Sequence, residues 1–309
     1  MPPPIVRRVL CTPLLFVLTL LVLVLYPLAL VGGRPRRLLS FALAWGVLES
    51  RAVLACTWQW LLRRPRSDRH YDIIRRYVAG LYSCAERRLG LDVRVDGTWD
   101  GPSEDRPLIV LSRHAGPGDA LLLVHHLLSD YRRRPRVVMK AMLQFDPCID
   151  IVGNRLPNAF VVPGGGTAGI ERLATGLGPR DALVIFPEGG NFTPARRRRA
   201  IRHLARRRRL DEAARAARMR HVMPPRSGGV LAALAAAPGA DVVFVAHVGL
   251  DHITTAAEVW RRIPLADPVR AHWWRIPAED VPRGAGAQVD WLYTQWQKAD
   301  AWIAAGSRA

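Results

Sequence analysis

Hydrophobic and polar positions divide the chain into two regimes. Val9 to Val31 is a run of 23 residues without a charge. As a helix it reaches about 34 Å, enough to cross a bilayer core of about 30 Å. Arg34, Arg36 and Arg37 follow, then a second apolar stretch from Leu38 to Leu62 interrupted by Glu49 and Arg51. Charges near the centre of a spanning helix are costly, so this stretch predicts an interfacial or half-buried helix rather than a second crossing. Arg63, Arg64, Arg66 and Arg69 come next. The heavier positive flank lies on the C-terminal side and places the rest of the chain in the cytoplasm. A secretory signal is the rival reading, with Arg7 and Arg8 as its basic start. The apolar run is too long for that, and no clear small-x-small cleavage site follows. Residues 1–70 are therefore expected to form a retained membrane anchor and 71–309 the main domain.

After about Tyr71 the pattern changes to short β-branched apolar runs alternating with helical periodicity. Leu108–Leu111, Val137–Met139, Phe160–Val162, Ala182–Phe186 and Val242–Val248 read as buried strands. Ala120–Leu128, Thr167–Gly176 and Arg196–Arg218 read as helices. The alternation predicts an α/β domain with a mixed, largely parallel sheet flanked by helices. No internal repeat is visible.

Composition adds a direction. Lys and Arg total 45 against 26 acids, a formal net charge of +19, which implies an acidic partner: nucleic acid, an anionic membrane surface or a phosphorylated substrate. Much of the arginine lies between Arg196 and Arg220. A solvated helix face is the bland reading of that segment. It has no aromatics for base stacking, so nucleic acid is not expected; docking on anionic headgroups fits a bilayer-attached protein. Cys11, Cys56, Cys84 and Cys148 lie far apart, with no C-x-x-C pair, and suggest neither a zinc knuckle nor a disulfide framework. The tryptophan-rich C-terminal segment reads as packing.

The candidate chemistry begins at Ser112-Arg113-His114-Ala115-Gly116-Pro117-Gly118-Asp119. Two glycines and a proline turn the chain sharply after His114, and Asp119 stands where a helix begins. A carboxylate on one ring nitrogen fixes the tautomer and stabilises the imidazolium. The other nitrogen is then free to take a proton from an alcohol. The H-x-x-x-x-D spacing alone is met equally well by a loop histidine followed by an N-cap aspartate.

It does not stand alone. Phe186-Pro187-Glu188-Gly189 follows a strand, and Val222-Met223-Pro224-Pro225-Arg226-Ser227-Gly228 comes after it. In that order the three blocks resemble the lysophospholipid and glycerol-phosphate acyltransferase family, from about Leu108 to Val248. Lys140 looks like the lysine after the family's second strand. Gly190-Asn191-Phe192-Thr193 is similar to the branch that includes lysophosphatidic acid and lysocardiolipin acyltransferases. The resemblance implies a catalytic His114 held by Asp119, direct acyl transfer from acyl-CoA as co-substrate to a lysophospholipid hydroxyl, and neither cofactor nor metal. It implies 1-acylglycerol-3-phosphate as acceptor, with Glu188 and Gly189 at the substrate. Another lysolipid or a glycolipid hydroxyl is the alternative. A non-catalytic lipid-binding protein is the alternative of another class, against which the intact His114, Asp119 and Glu188 argue.

Two departures bear on the acceptor. Gly190-Asn191 replaces the common Thr-Arg after Glu-Gly, and Pro163 occupies the position of the second block's arginine. Both missing arginines would hold a phosphate. Arg155 is the first substitute candidate and Arg226 the second. Gly164-Gly165-Gly166-Thr167-Ala168-Gly169 also fits G-x-G-x-x-G, a dinucleotide pattern. Pro163 directly before it is awkward for a strand-to-helix turn, and a loop is expected. His125 and His126, on the helix after Asp119, are expected in core or surface roles rather than ligation.

Overall fold

The computed structural model describes residues 1–63, 68–96, 106–116, 118–162, 164–251 and 256–306. Arg64, Arg66, Pro117 and Pro163 lie outside the described residues. The chain opens with α1 (Pro4–Leu25), a 3-10 turn (Tyr26–Val31), α2 (Gly33–Leu61), α3 (Arg69–Leu89) and β1 (Val93–Asp96). Next come β2 (Leu108–Ser112), α4 (Asp119–Ser129), β3 (Arg134–Lys140), α5 (Pro147–Gly153), β4 (Ala159–Val161) and α6 (Ala168–Ala174). Then follow β5 (Asp181–Ile185), α7 (Pro194–Arg206), α8 (Leu210–Arg218), α9 (Ser227–Ala236) and β6 (Asp241–Val248). The chain ends with α10 (Ala256–Arg262), β7 (Val269–Ile276) and α11 (Ala285–Gly306). It divides into two compact units.

The first unit comprises residues 1–92, 121–165 and 255–268. Both of its N-terminal helices are long and apolar enough to cross a membrane, yet they differ. On α1, Val9, Leu10, Leu14, Val17, Leu21 and Val24 are all exposed. α2 is partly covered: Ala52, Val53 and Cys56 pack with Tyr77, Val78 and Leu81 of α3 and with Cys148 and Val152 of α5. Glycine permits two close approaches. A Cβ on Gly46 would stand 2.5 Å from Thr19 Oγ1 of α1, and one on Gly80 would stand 2.8 Å from Leu48 of α2. The charges that interrupt α2 are managed separately: Glu49 turns inward and accepts from Trp45 Nε1 at 3.0 Å, while Arg51 stays exposed.

The hairpin is tied down at both ends. Arg7 and Arg8 grip the buried Asp150 of α5 at 2.6 and 2.9 Å. At the start of α2, Arg34 donates to the Ile263 carbonyl at 3.0 Å and Arg37 to the Arg88 carbonyl at 3.1 Å. In the same unit β3 and β4 pair in parallel, Lys140 opposite Val161.

The second unit comprises residues 93–120, 166–254 and 269–309. Its five strands lie in the order β1-β7-β6-β2-β5. β6 and β7 are antiparallel, and the other neighbours are parallel. Every residue of β2 and β6 is buried, as expected for strands covered on both faces. Of the C-terminal tryptophans, Trp296 is buried and Trp274 stacks on Phe244 with ring centroids 5.3 Å apart, whereas Trp260, in the first unit, is exposed. The α/β class with a mixed, mostly parallel sheet flanked by helices is as expected.

The single helix expected over Arg196–Arg218 is instead two, α7 and α8. Between them Arg208 adopts φ 57°, and side-chain bonds hold the corner. Arg197 of α7 donates to the Met219 and Ala217 carbonyls, at 2.5 and 2.8 Å, beyond and near the end of α8, where unsatisfied carbonyls favour a cation. Gly164 and Gly166 take positive φ, 83° and 76°, in the expected loop before α6.

Candidate active site

β2 runs parallel to β5 and β6, so all three end at one edge of the sheet. In open α/β sheets that edge is where ligands bind. Each strand delivers part of one constellation there. β2 leads into Arg113 and His114, β5 into Phe186–Gly189, and β6 ends in His247–Val248.

The turn after His114 closes as its composition predicts. His114 Nδ1 lies 3.0 Å from each oxygen of Asp119. The carboxylate also accepts the backbone N–H groups of Ala115 at 2.7 Å, Gly116 at 3.1 Å and Ala120 at 2.7 Å. Gly116 is needed for space: a Cβ there would stand 2.9 Å from the Leu250 carbonyl oxygen. Burial would raise the Asp119 carboxyl, but its bond to His114 and the backbone donors outweigh that and hold it below its ordinary value. With Nδ1 facing a carboxylate, Nδ1 carries the ring proton and Nε2 is left as the acceptor. The Phe186 ring lies 4.7 Å from the imidazole, centroid to centroid, and the Phe192 N–H donates to the His114 carbonyl at 2.8 Å.

Beneath the pair lie two buried residues to which sequence reasoning assigns no chemistry. Arg113 donates to the carbonyls of His247 at 2.6 Å and His221 at 2.9 Å and pairs with Asp251. The His247 Nε2 is 3.2 Å from the Arg113 carbonyl oxygen and 3.7 Å from Asp119 Oδ2. Burial and the Arg113 charge lower the His247 imidazole below its usual range, so it is neutral and backs Asp119 without adding a charge. The available signal is a histidine inside an otherwise apolar strand, where an unpaired polar group is costly.

Glu188 is buried. Burial pushes its carboxyl from 4.5 up to about 8, against the opposing pull of Arg113 and of the Met223 N–H at 3.4 Å. It is thus a neutral acid at pH 7. Because its folded value lies above its unfolded one, ionisation opposes folding. The penalty is absent below about 4.5, grows as pH rises toward 8 and is complete above it. Glu188→Gln is therefore expected to melt progressively higher than the parent between pH 5.5 and 8, with the gap level at higher pH. Parallel melting curves across that range would show that Glu188 ionises normally.

Gly189 adopts φ +67°, and a Cβ there would stand 2.8 Å from Arg226 Cζ. The exposed Arg226 guanidinium thus lies directly on the Glu188-Gly189 turn, and the Arg226 backbone N–H donates to the Pro187 carbonyl at 2.9 Å. His114, Asp119, Glu188, Gly189 and Arg226 all belong to the second unit. Lys140 and Arg155 belong to the first. There Arg155 Nη1 donates to the Cys56 carbonyl and lies 3.4 Å from His70 Nε2.

The sequence profile described as Acyltransferase matches residues 92–248, just over half of the chain. The chain belongs to the acyltransferase family. Among solved structures it is similar to the 1-acyl-sn-glycerophosphate (LPA) acyltransferase PlsC from Thermotoga maritima, with a TM-score of 0.54 and 16% identity. That likeness covers 88% of this chain and 98% of the other, and it establishes a shared fold. No curated protein matches.

Proposed function

We propose that the protein transfers a fatty acyl group from acyl-CoA to the free hydroxyl of 1-acylglycerol-3-phosphate, yielding phosphatidic acid. The observation that carries this reading is the His114–Asp119 pair at the carboxyl edge of β2. His114 Nε2 takes the proton of the acceptor hydroxyl while the oxygen attacks the thioester carbonyl. The carbon–sulfur bond breaks, and the coenzyme A thiolate recovers the proton from His114. Asp119 holds the imidazolium between these steps. No acyl-enzyme forms, and neither metal nor cofactor takes part. PlsC, which shares the fold, is an LPA acyltransferase, and this supports the choice of acceptor.

A phosphate dianion needs charge-assisted donors. Arg226 now stands first among the candidates, because it lies on the Glu188-Gly189 turn with its guanidinium exposed. Arg155 comes second, since part of its fork is already spent on the Cys56 carbonyl. Lys140 remains a candidate for substrate contact. The test uses purified protein, acyl-CoA and a panel of lysolipids. Thiol release should depend on lysophosphatidate; equal release with every lysolipid, or none, would reject this acceptor. Arg226→Ala should raise the Michaelis constant for lysophosphatidate at least about tenfold, the worth of one charged hydrogen bond, with little change for acyl-CoA. An unchanged lysophosphatidate constant would place the phosphate elsewhere.

We also read the protein as membrane-bound with its catalytic part on the cytoplasmic side. The apolar surface of α1 is exposed along its length while both ends of the hairpin are tied to one unit. That arrangement suits a helix bedded in one leaflet better than one crossing both. Exposed arginines at 198, 199, 202, 206 and 207 supply the electrostatic attraction to anionic headgroups.

A further inference from the structure

We propose that His125, His126 and Asp130 form a binding site for one divalent transition-metal ion of the zinc class. The reaction proposed above makes no use of these residues. His125 and His126 lie in the last turns of α4, and Asp130 follows it directly. Each offers one ligand atom, and the three atoms lie within 4.8 Å of one another. Two imidazoles are donors that zinc and its neighbours select, with further positions left for water, and Asp130 stands as the carboxylate that orients one of them. Magnesium and calcium prefer oxygen donors.

Several features prepare the cluster for a cation. Neighbouring rings hold the imidazoles: Tyr82 of α3 stacks on His125 at 4.2 Å and 15°, and meets the His126 ring edge-on at 5.7 Å. His126 Nδ1 lies 2.5 Å from Asp130 Oδ2, the carboxylate–imidazole arrangement that orients a metal-binding histidine. Its Nε2 is buried and has no hydrogen-bond partner among the described residues, a cost that coordination would relieve. The site also lies at the C-terminal end of α4, where the helix dipole favours positive charge. The Asp130 N–H bonds to the His126 carbonyl at 3.0 Å, extending the helical geometry to the orienting carboxylate.

The bland alternative is an i,i+4 His–Asp pair beside a core histidine. It accounts for the 2.5 Å contact but leaves the buried His126 Nε2 without a partner among the described residues.

The test is calorimetric titration of the full chain with Zn²⁺, purified in detergent without a polyhistidine tag. One equivalent should bind, and millimolar Mg²⁺ should not displace it. His126→Ala and Asp130→Asn should each weaken binding at least about tenfold, the lower end of what loss of even an outer partner costs. Asp130 is exposed, so Asp130→Asn keeps the test valid if a histidine variant misfolds. Zn²⁺ should raise the melting temperature of the parent and not that of Asp130→Asn. The chain has nine histidines, so binding elsewhere is the main competitor. Parent-like affinity in both variants, or no saturable binding by the parent, would overturn the proposal.

Discussion

Replacing His114 by alanine is expected to lower acyl transfer at least about a hundredfold, the lower end of what a general base contributes, while leaving the fold intact. The imidazole is partly exposed, 19% by side chain, and sits on a turn that Asp119 and the backbone hold independently. Its removal therefore opens no large cavity. Asp119→Asn should be nearly as damaging, because an amide presents a donor where the Nδ1 proton needs an acceptor. Single-turnover rates, with circular dichroism as the folding control, decide the matter. A well-folded His114→Ala protein that retains more than about a tenth of the rate would exclude general-base catalysis by this residue.

Arg113→Ala should produce the largest loss of stability, about 3–5 kcal/mol, the cost of removing one partner from a buried ion pair. The guanidinium is buried and bridges Asp251, the His247 carbonyl and the His221 carbonyl. Alanine removes the guanidinium that serves one carboxylate and two carbonyls beneath the reaction centre. Arg113→Lys keeps the charge but loses the planar fork that reaches several acceptors at once, so it should fall between the two. Denaturant unfolding measures both. A loss under about 1 kcal/mol for alanine, within the range of exposed pairs, would mean that water enters and satisfies these groups.

Much of this architecture is written locally. β2, β5 and β6 are apolar runs buried almost throughout, and a run of that kind has few other outcomes. The His114–Asp119 turn closes within five residues, so its glycines and proline suffice to predict it. β7 escapes a reading of the pattern because Arg270, His272 and Arg275 interrupt its apolar positions. Their partners, Asp96 and Asp241, come from distant segments. The break between α7 and α8 is hidden for a related reason: arginine has good helix propensity, and the corner is fixed by Arg197 reaching carbonyls about 20 residues away. The contact of Arg113 with His247 is likewise not written locally, since 134 residues separate them, and the histidine within an apolar run is its one trace in the sequence. Arg226 ranks only second among the phosphate candidates on sequence because its approach to Gly189 depends on the fold.

The grip of Arg7 on Asp150 carries a consequence for how the protein is made. The two residues are 143 positions apart. At about 5–20 residues per second of synthesis, roughly 7–30 s pass between them. Throughout that interval α1 is an apolar helix with no acidic partner yet in existence. On the membrane reading it meets lipid first, and Asp150 arrives afterwards to fasten an already embedded end. Order of emergence then sets order of assembly: the bilayer acts as the first scaffold, and the Arg7–Arg8–Asp150 cluster is a latch that shuts once the rest of its unit has been translated.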